Sequence, residues 1–198
     1  MVQSVHRIVH GAARLMALLG GLVLVAVILM VCVSILGRTV SGLLHAPTVQ
    51  AVAPQLAEWL LALGIGPVRG DFELVEAGMA FCVFAFLGWC QITAGHASVD
   101  LFTARLPARV RRALAAVIEI TFAAALVLIA VQLFDGMDTQ MRRRSTTFLL
   151  QYPLWWNYAA AVVPASLAAL VAIHMALVRV AEAATGRALI DVGRGSDT

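Results

Sequence analysis

Four long, predominantly apolar runs dominate this chain: Leu15 to Leu36, Leu74 to Ile92, Ala113 to Phe134 and Tyr158 to Val178. A helix rises 1.5 Å per residue, so about 20 residues cross the ~30 Å hydrocarbon core of a bilayer, and each run is long enough to do so. The polar–apolar alternation of a transmembrane barrel strand is missing, so helices must satisfy the backbone hydrogen bonds within lipid. Only 13% of the residues are charged and the mean hydropathy is +0.92, whereas soluble domains carry roughly 25% charged residues. The chain is therefore predicted to be an all-α integral membrane protein with four transmembrane helices. The runs leave no room for a separate soluble domain, so residues 1–198 are read as a single membrane domain.

The first run follows Arg7 and Arg14 and superficially resembles a secretory signal. Its length exceeds the roughly 7–15 residues of a signal's apolar region, and no small-x-small cleavage pattern follows, so it is expected to persist as the first span. Cys32, Cys82 and Cys90 all lie inside apolar runs and read as small hydrophobes, not as disulfide or metal partners.

The chain has no lysine, and its arginines set the expected orientation. With both termini in the cytoplasm, the inner segments hold Arg7, Arg14, Arg105, Arg109, Arg111, Arg112, Arg179, Arg187 and Arg194. The outer segments hold Arg38, Arg69, Arg142, Arg143 and Arg144. The excess favours cytoplasmic termini, with the Arg142–Arg144 triplet on the unexpected side.

The first connection, Gly37 to Phe72, contains a short helical pattern. Pro54 suits a first helical position. Leu56, Leu60 and Leu63 then share a face beside Trp59, and Gly64 and Gly66-Pro67 stop the segment. About three turns cannot span a bilayer and tryptophan favours the headgroup layer, so residues 54–63 are read as an interfacial helix on the outer surface. An ordered loop packed on the spans is the alternative.

Ionisable residues near the spans are few. Asp71, Glu73 and Glu76 open the second span, where carboxylates complement the positive end of a helix; Glu76, one turn deeper, is expected to face another helix or Arg69. Glu119 in the third span and His174 in the fourth lie toward the cytoplasmic side, as does His96 at the exit of the second, so Glu119 is placed to meet either histidine. Such groups suggest a transport role or a structural pairing. His96 and Asp100, four residues apart, share a face if helical and are candidates for stabilising that end or a subunit contact. In the last connection, Arg142, Arg143 and Arg144 have three candidate partners: lipid phosphate, the nearby Asp135 and Asp138, or an acidic protein. Tyr152, Trp155, Trp156 and Tyr158 form an aromatic belt. Pro153 suits the start of the fourth span, and Pro164 is expected to bend it.

The order of these parts resembles a family. The Gly-Asp-x-Glu-Leu entry to the second span (Gly70, Asp71, Glu73, Leu74), the Gly-His-x-x-Val-Asp exit (Gly95, His96, Val99, Asp100), Leu106-Pro107 before basic residues, and Pro-x-Trp-x-x-Tyr (Pro153, Trp155, Tyr158) are similar to the small membrane subunit of tripartite ATP-independent periplasmic, or TRAP, transporters. The resemblance runs from the first span to about Val178. It implies a large membrane subunit that carries the substrate and sodium sites and works as an elevator. It further implies a periplasmic solute-binding protein, an organic-acid cargo, and a bracing, non-enzymatic role for this chain with no cofactor of its own. Arg142, Arg143 and Arg144 then become candidates for docking the binding protein. Two other readings remain at this stage. One is a haem b anchor using His96 and His174; the other is a stand-alone channel, for which Glu119, Gln132 and His174 would be the polar material.

Overall fold

The computed structural model describes residues 2–93 and 107–185. The segment holding His96, Asp100 and Arg105 lies outside the described residues, as do Arg187 and Arg194. Among the described residues six helices follow in order: α1 (Val2–Leu44), α2 (Pro47–Val52), α3 (Pro54–Ala62), α4 (Asp71–Ile92), α5 (Ala108–Arg143) and α6 (Trp155–Thr185). There is no strand among the described residues, only an isolated β-bridge between Thr146 and Pro153. The four long helices each contain a window apolar enough to cross a membrane, as an all-α membrane protein requires.

The helices outrun the apolar windows that announce them. α1 has 43 residues and α5 has 36, about 65 and 54 Å at 1.5 Å per residue. Hydropathy marks only the length immersed in lipid, whereas the helix continues wherever its own hydrogen bonds are undisturbed. Arg7 and Arg14 of α1, and Arg109, Arg111 and Arg112 of α5, are consequently helical. The fourth long helix begins at Trp155 rather than at Pro153, because Pro153 pairs with Thr146 across the preceding turn. α6 then runs through Pro164.

In the first connection α3 occupies nearly the predicted residues, with Pro54 in its first turn. A separate turn of helix, α2, precedes it. Ala57 is buried, while Leu56, Trp59 and Leu63 are exposed. The helix therefore rests on Ala57, with Leu60 and Leu61 half-buried and Leu56 and Trp59 facing outward.

The long helices pack in the order α1, α4, α6, α5: α4 lies between α1 and α6, and α5 packs on α6. Neither α1 with α5 nor α4 with α5 forms an extended interface, so the helices make an open row, not a closed four-helix bundle. α6 is the hub, with 56% of its most apolar window buried, against 6% for α1. Small side chains allow this. Ala168, Ala169, Ala172 and Ala176 of α6 pack with Ala123 and Leu126 of α5, and a Cβ on Gly88 of α4 would sit 3.5 Å from the Cα of Ala168. Apolar side chains gain little by leaving lipid for another apolar surface, so close backbone approach supplies the packing energy between spans. At the other flank of α6, Val171 and Met175 join Ala13 of α1 and Ile92 of α4 in a second cluster.

Candidate functional site

Polar contacts concentrate at the two ends of the helix row. The loop end carries the termini joined by α2, α3 and the α5–α6 connection. The Gly70-Asp71-x-Glu73 sequence organises it. Gly70 adopts φ 72° at the start of α4, a left-handed conformation that glycine takes without steric cost, and a Cβ there would lie 2.4 Å from Leu150 Cγ. Asp71 turns toward α1: its Oδ2 accepts from Ser34 Oγ at 2.6 Å and lies 3.6 Å from the Arg38 guanidinium. Ser34 is 1% exposed and its hydroxyl also accepts from the Val68 backbone N–H at 3.2 Å. Glu73 turns the other way. Its carboxylate accepts the backbone N–H groups of Leu149 (2.6 Å) and Leu150 (3.0 Å) in the α5–α6 connection. Asp71 and Glu73, two positions apart, thus tie α4 to α1 on one side and to the last connection on the other.

Glu76 forms no ion pair with Arg69. It lines a cleft of about 200 Å³ with Leu133 of α5 and Asn157, Tyr158 and Ala161 of α6. Tyr158 packs so closely on α5 that a Cβ at Gly136 would approach its Cε1 to 2.7 Å. Asn157 accepts a 2.7 Å hydrogen bond from the Tyr152 hydroxyl. The Pro-x-Trp-x-x-Tyr sequence therefore seats the start of α6 on α5 and on its own preceding loop.

At the opposite, amino-terminal end, Glu119 of α5 accepts a hydrogen bond from Gln91 Nε2 of α4, the buried amide that sequence reasoning passed over. His174 meets a histidine instead: its Nε2 is 3.4 Å from Nδ1 of His6, with the rings stacked at 5.6 Å. His10 lies beside His6 and edge-on to Trp89, with ring centroids 4.9 Å apart. His96, the other histidine of the haem reading, lies outside the described residues. No group of three or more metal-binding side chains occurs among the described residues. Gln132, the further polar group of a channel reading, is exposed.

The arginine triplet ends α5. Arg142 Nε pairs with Asp138 Oδ2 at 2.7 Å. Arg144 takes φ 52° at the helix terminus. Arg143 and Arg144 are exposed, with no ion pair among the described residues. Local pairing therefore accounts for one arginine of the three. The cysteines behave as small side chains: all three are free, and Cys82 donates to the Gly20 carbonyl at 3.2 Å.

Sequence reasoning missed Ser34, Gln91, His6 and His10 as partners. A serine or glutamine inside an apolar run was the available signal, since a polar side chain in lipid seeks a partner on another helix.

The family model for tripartite ATP-independent periplasmic transporters, DctQ component, matches residues 56–183, more than half of the chain. The chain belongs to this family. The match begins within α3 and includes α4, α5 and nearly all of α6, leaving α1 outside it. No curated protein and no solved structure is significantly similar to the chain. DctQ proteins are transporter subunits, not enzymes, so this chain is the small subunit of a TRAP system and a multi-pass inner-membrane protein. Asp71 and Glu73 of this DctQ protein hydrogen-bond α4 to α1 and to the α5–α6 connection.

Proposed function

We propose that this DctQ subunit braces the large membrane subunit of its transporter, which moves an organic acid by a sodium-coupled elevator motion after delivery by the periplasmic binding protein. The open helix row carries this reading. α1 leaves Leu18, Leu22, Val25, Leu29 and Leu36 exposed along its length, and both ends of the row are fixed by polar ties. A stiff layer with an apolar flank is suited to hold a moving neighbour in place. The scarcity of polar groups facing a common path supports leaving the substrate and sodium sites to the larger subunit. Both termini are assigned to the cytoplasm on the arginine bias, which puts α3 and Arg142, Arg143 and Arg144 on the periplasmic side where the binding protein approaches.

Reconstitution tests the assignment. Liposomes holding the large and small subunits, given the binding protein and an inward sodium gradient, should take up substrate, and omission of this chain should abolish uptake. The isolated binding protein should retain its substrate affinity throughout. Robust uptake by the large subunit alone would overturn the bracing role.

A further inference from the structure

Arg111 and Arg112 of α5 and Arg179 of α6 line a pocket of about 140 Å³ with Ala115 and Glu182. Arg112 and Arg179 are half-buried and Glu182 is 7% exposed. Arg179 Nη1 donates to Glu182 Oε2 at 2.9 Å. Arg111 and Arg112 form no ion pair or side-chain hydrogen bond with the described residues. Three guanidinium groups thus meet one carboxylate, and the pocket wall carries a positive excess. The wall also belongs to the first turns of α5, where unpaired backbone N–H groups add positive potential.

Guanidinium forks match the oxygens of phosphate bidentately, and the small Ala115 side chain leaves room between them. Immediately along the helices, Leu114, Val117 and Ile118 of α5 and Val180 of α6 are exposed. The cationic pocket therefore stands where the helix surface changes from charged to apolar, at the level of lipid headgroups. A soluble anion would gain nothing from those apolar neighbours, whereas a phospholipid would lay its acyl chains along them.

We propose that this pocket binds the phosphate of an anionic phospholipid headgroup, with Arg111 and Arg112 as its principal donors and Arg179, oriented by Glu182, completing the cradle. The site is independent of the substrate and of the bracing role.

The test uses the purified full-length protein and three probes: short-chain phosphatidylglycerol, short-chain phosphatidylcholine and inorganic phosphate, with thermal stability as the readout. Phosphatidylglycerol should raise Tm in a saturable way and phosphatidylcholine should not. Arg111→Gln and Arg112→Gln should each weaken the apparent affinity about fivefold. Arg109→Gln, on the exposed neighbouring position, should leave it unchanged, and the Arg111→Lys/Arg112→Lys double variant should retain part of it. An equal rise with inorganic phosphate would overturn the lipid assignment in favour of a free-phosphate site. Equal responses to the two lipids, or an undiminished phosphatidylglycerol response in the Arg111→Gln/Arg112→Gln double variant, would overturn the site itself.

Discussion

Asp71 at the first residue of α4 accepts a 2.6 Å hydrogen bond from Ser34, which is buried near the end of the first apolar run. The same hydroxyl accepts the Val68 backbone N–H, so a single serine holds both α4 and the chain leading into it. Removing the hydroxyl with Ser34→Ala strands the Val68 N–H and leaves Asp71 Oδ2 with the Arg38 guanidinium, 3.6 Å away. The variant should lower the Tm of the purified subunit and its yield, and Asp71→Asn, which keeps an acceptor oxygen, should be milder. An unchanged Tm for Ser34→Ala would show that water replaces the hydroxyl.

Glu73 anchors the α5–α6 connection through two backbone N–H groups, and Arg142, Arg143 and Arg144 lie just before that connection. Loosening the loop should therefore be visible to trypsin. Glu73→Ala should speed cleavage after these arginines several-fold, while Glu73→Gln, which still offers a carbonyl oxygen, should fall between the variant and the native protein. Identical cleavage rates in all three would mean that the loop is held without Glu73, by its Thr146–Pro153 bridge and the Tyr152–Asn157 hydrogen bond.

Two glycines of α1 have opposite surroundings. A Cβ at Gly37 would lie 2.1 Å from the Gly66 carbonyl oxygen, whereas one at Gly21 meets nothing within 4 Å. Glycine inside a helix is ordinarily less favourable than alanine by roughly 0.5–1 kcal/mol. Gly21→Ala should thus be neutral or stabilising, and Gly37→Ala should cost about 1–3 kcal/mol because backbone must move to admit the methyl group. Thermal melts of the two variants compare these signs directly; a stabilising Gly37→Ala would refute the close approach of α1 to the Gly66 turn.

Within the arginine triplet, Arg142 is engaged by Asp138 and Arg143 and Arg144 are not. If this edge steers an acidic binding protein, Arg143→Gln/Arg144→Gln should weaken docking and flatten its salt dependence more than Arg142→Gln does, with assembly onto the large subunit intact. Surface-based binding measurements at two ionic strengths separate these outcomes. Unaltered docking accompanied by impaired membrane insertion would assign the arginines to the bilayer.

Much of the architecture was legible in the sequence because it depends on local properties of the chain. Four apolar runs dictate four membrane helices whatever their neighbours, since no other open structure satisfies a backbone in lipid. Pro54 and Gly64 bracket α3 for reasons confined to a few residues. The choice of partner was not legible. Asp71 and Glu73 look alike as acidic residues at a helix start, yet one reaches α1 and the other a loop 76 residues further on. Likewise Glu119 meets Gln91 and His174 meets His6. Those pairings depend on the neighbour order α1, α4, α6, α5 and on the rotation of each helix about its axis. Both are set by where alanine and glycine let backbones approach, as at Gly88 and Ala168. Hydropathy determined which segments enter the membrane; packing in three dimensions decided which side chains meet there.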